Sequence, residues 1–109
     1  MKTIFNCTPH EVKIVNPETK EVFKVYSKGD VIPRISQKVK KFGKIGNIPI
    51  TANEFGDTRD LPKQQKDTFY IVSRMVKSAN PYRDDLLVPN GIVRDEVGVI
   101  IGCTSLSIN

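Results

Sequence analysis

The sequence has no tryptophan, only two cysteines and a single histidine among its 109 residues. Without tryptophan, a hydrophobic core has to depend on isoleucine, valine and leucine, with five phenylalanines and three tyrosines to assist. Two cysteines and one histidine are too few for a four-ligand zinc site, and we expect no metal and no cofactor. Cys7 and Cys103 are expected to be reduced, as in a cytoplasmic protein.

Several sequence signatures are also missing. No apolar run is long enough to span a membrane, and residues 1–6 lack the apolar core of a signal peptide. The chain has no glycine-rich phosphate loop, no nucleophile elbow and no pattern of a DNA-recognition helix. We therefore expect a cytoplasmic protein of one domain, residues 1–109, with no membrane partner, and an enzyme is not favoured.

Positive charge is concentrated in the middle of the chain, although the whole sequence has a formal net charge of only +5. Residues 24–44 contain seven lysines and arginines against Asp30 alone. Such a segment attracts nucleic acid, but only Phe42 is available in it to stack on a base. Lysine-rich edges also protect strands from aggregation, so a solvated strand edge is favoured and nucleic-acid binding stays open. The seven cations are Lys24, Lys28, Arg34, Lys38, Lys40, Lys41 and Lys44.

Short alternating runs separated by turn residues predict a β-rich fold. Residues 12–15 and 21–26 alternate on either side of a turn and predict a hairpin, and Gly46-Asn47 predicts a second hairpin. Apolar residues recur at helical spacing over residues 73–79, which predicts one short helix. We therefore expect an α+β, β-rich fold: a small sandwich or partly closed barrel of about seven or eight short strands with that helix.

Two further segments are predicted to lie outside the strands. Residues 56–67 have no periodicity and are expected to form a long loop. Pro89, Asn90 and Gly91 are expected to form a turn between two short strands. The longest apolar run, residues 99–108, is expected to be the last strand.

Arg83, Asp84 and Asp85 form a charged triplet between the predicted helix and an apolar run at residues 86–88. Charged side chains beside a core are either paired with each other or presented to a ligand. In an extended chain the two aspartates point in opposite directions. One carboxylate can then pair with Arg83 or Arg94 while the other meets a ligand, for example the hydroxyls of a ribose. Bracing and binding both stay open for this triplet.

Three other polar residues are candidates for a site. His10 is the only histidine, and it can act as a general base or as a donor to a ligand. Ser73 is expected to cap the helix and can also help to bind an anion. Arg94 stands before Asp95 in a predicted turn, where a structural role is favoured.

The order of short motifs along the chain resembles that of one family. The motifs are Thr8-Pro-His10, Gly46-Asn-Ile-Pro49, Leu61-Pro62, Tyr70-Ile-Val-Ser73, Arg83-Asp-Asp-Leu86, Arg94-Asp95 and Ile101-Gly-Cys103. In this order they resemble a group of small, largely uncharacterised proteins encoded by bacteriophages, prophages and some bacteria. The resemblance covers nearly the whole chain and is most specific from Tyr70 to Cys103. The central lysines and Cys7 depart from the pattern of the group.

The resemblance implies a factor for host takeover or counter-defence that acts in the cytoplasm of the bacterial host. One physical route is to sequester a nucleotide-derived signal, with arginine on phosphate, aspartate on ribose hydroxyls and an oligomer interface as the pocket wall. We therefore expect a non-enzymatic homo-oligomer that binds a nucleotide-like small molecule. The expected ligand-binding residues are His10, Ser73, Arg83, Asp84, Asp85 and Arg94.

Two alternatives from other functional classes stay open. The first is a small hydrolase or lyase that uses His10 with Asp84 or Asp85. The second is a nucleic-acid-binding or protein-binding module that uses the basic segment 24–44. A structural role in the virion or a role in its assembly also stays open.

Overall fold

In the computed structural model, which describes residues 1–109, the chain forms eight strands and one short helix. The predicted β-rich class, with about seven or eight strands and one short helix over residues 73–79, is therefore confirmed. In chain order the elements are β1 Thr3–Asn6, β2 Val12–Val15, β3 Val22–Tyr26, β4 Arg34–Ile45, β5 Ile48–Arg59, β6 Thr68–Ile71, α1 Arg74–Ala79, β7 Leu86–Arg94 and β8 Ile100–Ser107.

Six of the strands form one mixed sheet in the order β1-β6-β7-β8-β2-β3, and β4 pairs only with β5. β1, β6 and β7 run parallel, β7 and β8 antiparallel, and β2 is parallel to β8 and antiparallel to β3. The sheet is not closed by a ladder, since β1 and β3 are its two outer strands. The Asn6 amide at the end of β1 nevertheless donates to the carbonyl oxygen of Tyr26 at the end of β3 (3.2 Å). The two outer strands therefore meet at one end.

Two hydrophobic clusters form the core. Neighbouring side chains along a strand point to opposite faces of a sheet, and accordingly Tyr70 and Ile71 of β6 belong to different clusters. Ile71 packs with Cys103 of β8 and with side chains of β2. Tyr70 packs with Leu86 of β7 and with Val76 of α1, so the helix covers this face of the sheet.

Helix α1 begins and ends where the sequence predicts. Ser73 has an extended backbone (φ −67°, ψ 156°), and its hydroxyl oxygen accepts a hydrogen bond from the amide of Val76 at 3.2 Å. This side chain satisfies one of the amides that a helix leaves unpaired at its first turn. At the other end the buried Asn80 side chain donates to the Val76 carbonyl and to the Thr58 hydroxyl, both at 2.9 Å. The second bond ties the helix to β5.

The predicted turn at Pro89, Asn90 and Gly91 is wrong, because β7 runs without interruption from Leu86 to Arg94. β6 pairs with β7 only as far as Leu87, so Pro89 lies beyond its partner on that side and its missing amide hydrogen costs no bond to β6. Gly91 adopts a positive φ of 70° within the strand. Its neighbours Asn90 and Ile92 still pair with β8.

The predicted loop at 56–67 is shorter than expected, since β5 continues to Arg59. Thr58 and Arg59 pair with Ile35 and Arg34, so the start of β4 supplies the missing partner. The sequence shows no alternation there because most of these side chains are exposed on both faces.

β4 and β5 form a two-stranded hairpin of 12 residues in each strand, joined at the predicted turn Gly46-Asn47. The base of this hairpin is held by the body of the protein: Ile35 packs on the core, and the Gln37 amide lies 3.3 Å from the sulfur of Met75 in α1. The far part extends away from the six-stranded sheet, and the molecule measures 52 × 40 × 22 Å.

Candidate functional site

A cavity of about 460 Å³ lies where β1 and β6 end and the chain turns away from the sheet. Residues 8–13 and 72–74 form two of its walls, and β7 and β8 contribute the remainder. Parallel strands deliver their carboxyl ends to one edge of a sheet, and ligands of such sheets commonly bind at that edge. The volume also falls within the range of about 300–1,000 Å³ that is usual for small-molecule sites.

The segment that carries His10 is held in place by Asn6 and Thr8. The Asn6 side-chain oxygen accepts a hydrogen bond from the Thr8 amide at 2.9 Å, and its nitrogen donates to the carbonyl oxygen of His10 at 2.8 Å. The Thr8 hydroxyl lies 2.6 Å from the Asn6 oxygen and 2.9 Å from the His10 carbonyl, and with its single hydrogen it donates to one of them. These bonds use the main chain of His10, so its imidazole is not needed to hold the segment; His10 is exposed and lines the cavity.

The opposite wall is the turn from β6 into α1. Val72 is fully buried and anchors this turn in the core, while Ser73 and Arg74 are exposed and line the cavity. The Ser73 oxygen accepts from the Val76 amide, which leaves the hydroxyl hydrogen of Ser73 available to a ligand. Arg74 brings the one guanidinium among the lining residues. A guanidinium offers a planar pair of donors that suits a phosphate or a carboxylate.

The charges at the cavity come mainly from Arg74, Lys13 and Glu11. The ammonium of Lys13 lies 3.6 Å from a carboxylate oxygen of Glu11, and both side chains are about half exposed. An exposed pair of this kind is held weakly and is open to exchange with a ligand. Arg74 has no carboxylate partner within the chain and leaves the cavity with an excess of positive charge.

Cys103 contributes a thiol to the cavity, on β8 beside Gly102. Its sulfur lies 3.5 Å from the carbonyl oxygen of Lys13. Burial raises the pKa of the Cys103 thiol above its ordinary value, although nearby backbone hydrogen bonds with Asn90 and Ser105 act in the other direction. A protonated thiol is a weak nucleophile. Cys103 therefore acts as an apolar part of the floor.

Arg83 and Asp85 form a buried ion pair away from this cavity. The Nε and Nη2 atoms of Arg83 donate to the two carboxylate oxygens of Asp85, each at 2.7 Å. Nη2 also donates to the carbonyl oxygen of Pro62 at 2.9 Å, which fastens the loop between β5 and β6. The bond to Asp85 raises the pKa of the Arg83 guanidinium above its ordinary value, while its partial burial works in the opposite direction. The two charges satisfy each other and brace the start of β7.

Asp84 lies on the outside of the same segment. Its carboxylate accepts a hydrogen bond from the side-chain amide of Gln64, and the residue is exposed. With Asp85 it lines a second cavity of about 460 Å³, near the amino-terminal end of β6. The two aspartates therefore differ as alternation along an extended chain predicts: one is paired with Arg83 and the other faces solvent.

Arg94 braces the turn between β7 and β8. Its Nη1 donates to the carbonyl oxygen of Gly98 at 2.9 Å. The Asp95 carboxylate closes the same turn by accepting from the amides of Val97 and Val99, at 2.9 and 3.0 Å. The favoured structural role of this turn agrees with these contacts.

The six predicted site residues thus lie in different places. His10 and Ser73 line one cavity, Asp84 and Asp85 line another, and Arg83 and Arg94 line neither of them. Arg74 and Lys13 share the first cavity with His10 but were not among the residues predicted from the sequence. The signal for Arg74 is its place directly after the helix cap Ser73. No local signal brings residues 8–13 next to that cap, because β1 and β6 are far apart along the chain.

No protein-family model, curated protein or solved structure matches this chain. No helix of the protein is long and apolar enough to cross a membrane. No group of three or more histidine, cysteine, aspartate or glutamate side chains is arranged to hold a metal ion. The chemistry of the cavity therefore has to follow from its own residues.

Proposed function

We propose that this protein is a non-enzymatic binding protein that captures a nucleotide-derived small molecule in the cavity between residues 8–13 and 72–74. The observation that carries the proposal is the composition of this cavity. It combines an unpaired guanidinium, that of Arg74, with the donors of His10 and Ser73 and with apolar walls such as Val72 and Ile92. Pockets for organic ligands are mostly apolar and carry a few convergent polar groups.

Each part of a nucleotide has a counterpart in the cavity. The guanidinium of Arg74 suits a phosphate, which it can hold through two parallel hydrogen bonds. The Ser73 hydroxyl and the His10 imidazole add donors beside it. The carboxylate of Glu11 is an acceptor of the kind that binds ribose hydroxyls, and apolar side chains provide a surface for the base.

Arg83 and Asp85 have a different place in this proposal from the one expected from the sequence. Their charges satisfy each other and are largely buried, with 14% and 4% of the side chains exposed. A ligand would have to replace two short charge-assisted hydrogen bonds to reach either of them. We therefore assign them to stability and assign phosphate binding to Arg74.

The proposal of binding without turnover is favoured over a hydrolase or lyase by the position of the carboxylates. The enzyme alternative needs His10 within hydrogen-bond reach of Asp84 or Asp85. The two aspartates line a different cavity from His10, and Asp85 is occupied by Arg83. The resemblance to phage and prophage proteins adds a biological setting: removal of a nucleotide signal from the cytoplasm of the bacterial host.

The test is isothermal titration calorimetry of the native protein against a panel of linear and cyclic nucleotides. Loss of a charge-assisted hydrogen bond costs about 1.5–3 kcal/mol, so Arg74→Gln should weaken binding by about 10-fold to 100-fold. His10→Ala should weaken it less. Arg94→Gln is the matched control, since it removes an exposed guanidinium outside the cavity and should leave the affinity unchanged.

A release assay separates capture from catalysis. The protein is loaded with the nucleotide that binds best, denatured, and the released compound is identified by mass spectrometry. Recovery of the intact compound supports capture, whereas a converted compound favours the enzyme alternative. The proposal fails if no nucleotide binds, or if the folded Arg74→Gln, His10→Ala double variant binds as tightly as the native protein.

A further inference from the structure

The far part of the β4–β5 hairpin, residues 38–54, is called the arm from here on. Every side chain from Lys38 to Pro49 is exposed, although the register from Lys38–Glu54 to Ile45–Ile48 keeps both strands paired. A two-stranded hairpin that packs on nothing is only marginally stable in water. The residues that hold the hairpin to the body, Ile35, Gln37 and Thr58, all lie outside the arm.

The arm exposes large apolar side chains as well as lysines. Phe42 is 80% exposed, Ile45 70% and Ile48 65%. Ile45 is paired with Ile48, and alternation along β5 places Ile50 on the same face as Ile48. The turn end of the arm therefore presents a contiguous apolar face. Exposed apolar patches of this kind mark surfaces that are covered by a partner.

The area and shape of the whole chain point in the same direction. A compact monomer of this mass exposes about 6,100 Å², whereas this chain exposes 8128 Å². Its radius of gyration is 17.1 Å, while a compact chain of this length has a radius of gyration of about 13 Å. The chain therefore exposes about 2,000 Å² more than a compact monomer does. One partner in a standard protein interface buries only about 800 Å², so an excess of this size is typical of a subunit of an obligate oligomer.

We propose that the arm packs against a second copy of this chain and that the working protein is a homo-oligomer. A second copy brings the apolar surface that the arm requires, because β3 is an outer strand of the sheet and exposes Val22, Phe23 and Val25. This proposal does not depend on the small-molecule function, since no residue of the arm lines the ligand cavity.

Nucleic acid is the other candidate for the arm. Four of the lysines of the basic segment, Lys38, Lys40, Lys41 and Lys44, lie on the arm, and a two-stranded β ribbon fits the major groove of DNA. Phosphates would satisfy the lysines but would leave Ile45 and Ile48 without an apolar counterpart. A protein partner covers both isoleucines, and the long lysine side chains can keep their charges in water at its rim.

The test measures the mass of the native chain by sedimentation over a wide range of protein concentration. We expect a multiple of the 12.3 kDa chain mass. The variant Phe42→Thr, Ile45→Thr, Ile48→Thr removes the three most exposed large apolar side chains of the turn end of the arm but keeps residues that favour strands. It should raise the dissociation constant by at least about tenfold. The matched control is Val97→Thr, Val99→Thr, which changes two exposed side chains in the β7–β8 turn and should leave the oligomer intact.

Hydrogen exchange of the native protein gives a second measurement that does not depend on any variant. The amides of the arm should be protected at high protein concentration and exchange fast on dilution to the monomer. A native chain that stays monomeric at all concentrations overturns the proposal. So does an oligomer that the arm variant leaves unchanged, or protection of the arm only by duplex DNA with a steep dependence on salt.

Discussion

Asp85 accepts hydrogen bonds at both of its carboxylate oxygens from Arg83, two residues earlier in the chain, with both distances at 2.7 Å. The planar fork of the guanidinium matches the two oxygens, so the pair closes on itself. The same guanidinium also donates to Pro62. A charged triplet that could have bound a ligand thus connects the loop after β5, the segment after α1 and the start of β7.

The ion pair predicts that removing one partner lowers the stability more than removing both. Arg83→Met should lower the free energy of unfolding by about 3–5 kcal/mol, because it leaves the buried Asp85 without a partner. Arg83→Met, Asp85→Leu should be more stable than Arg83→Met alone, since no charge is then left buried. Urea denaturation followed by circular dichroism measures both. Arg94→Met is the control and should cost at most about 1 kcal/mol. Equal losses at the two arginines would contradict the structural assignment.

The hydrogen bonds of Asn6 predict a second effect on stability, because they link the two outer strands of the sheet. The Asn6 amide donates to the carbonyl oxygens of His10 and Tyr26, so Asn6→Ala removes a link between the two outer strands. The variant also loses the bond that the Asn6 oxygen accepts from the Thr8 amide, so we expect a loss of about 2–3 kcal/mol, at about 1 kcal/mol for each of the three hydrogen bonds. Hydrogen exchange of β3 should also become faster.

Asn16 provides the matched control for Asn6. It also bonds to backbone amides, those of Glu18 and Thr19, but in an exposed turn between β2 and β3. Because water can replace these bonds, Asn16→Ala should cost less than about 1 kcal/mol. If the two alanine variants unfolded at the same urea concentration, Asn6 would have no special role in closure.

The conformation of Gly91 allows a test of whether β7 continues through this residue and pairs with β8. Gly91 has a φ of 70°, and a side chain there would collide with the hydroxyl of Thr104 on β8. Gly91→Ala should therefore cost more than the roughly 1–2 kcal/mol that a positive φ alone imposes. Gly98→Ala gives the comparison, since Gly98 also has a positive φ, of 88°, but open space around it. Thr104→Ala added to Gly91→Ala should recover part of the difference.

The two cysteines predict a pH dependence of thiol reactivity. Burial raises the pKa of both Cys7 and Cys103 above the ordinary thiol value of 9.0. In the native protein both should react slowly with a disulfide reagent at neutral pH and faster only as the pH rises beyond that value, whereas denatured protein should react at once. Rapid reaction of one thiol at pH 7 in folded protein would show that its burial is incomplete.

The same shift has a consequence for stability, with a definite sign. A thiol whose pKa is raised on folding favours the protonated native state, so its contribution is intact below the ordinary pKa and is lost as the pH rises through the raised value. The free energy of unfolding should therefore fall above pH 9.0. In the double variant Cys7→Ala, Cys103→Ala the free energy of unfolding should fall less over the same pH range. The difference from the native protein separates the contribution of the thiols from that of the lysines and tyrosines.

Most elements of the fold follow from local patterns in the sequence. The cap at Ser73, the turn at Gly46-Asn47 and the hairpin of β2 and β3 depend on neighbouring residues, and all three are present in the structure. The error at Pro89 has a different origin. Proline and glycine usually mark a turn, but here Pro89 lies beyond the end of β6, a fact that depends on pairing between strands.

The site was less accessible to sequence reasoning than the fold. His10 and Ser73 share a cavity only because β1 pairs with β6, and these strands are separated by more than sixty positions, as the pairing of Thr3 with Thr68 shows. The choice between bracing and binding at Arg83 likewise depends on whether its partner lies within the chain. The charge pattern of the sequence indicates that Arg83 needs an oppositely charged partner, but it does not identify that partner.

The sequence by itself determined the β-rich class, the single short helix and its cap, and the concentration of lysines in one hairpin, because strand alternation, capping and local charge depend on residues close in the chain. Only the tertiary structure decided that Asp85 pairs with Arg83 and that Arg74 and His10 line the same cavity. It also decided that the arm is exposed and extends away from the six-stranded sheet. These relationships join distant segments or depend on burial, and burial is a property of the packed chain rather than of any part of its sequence.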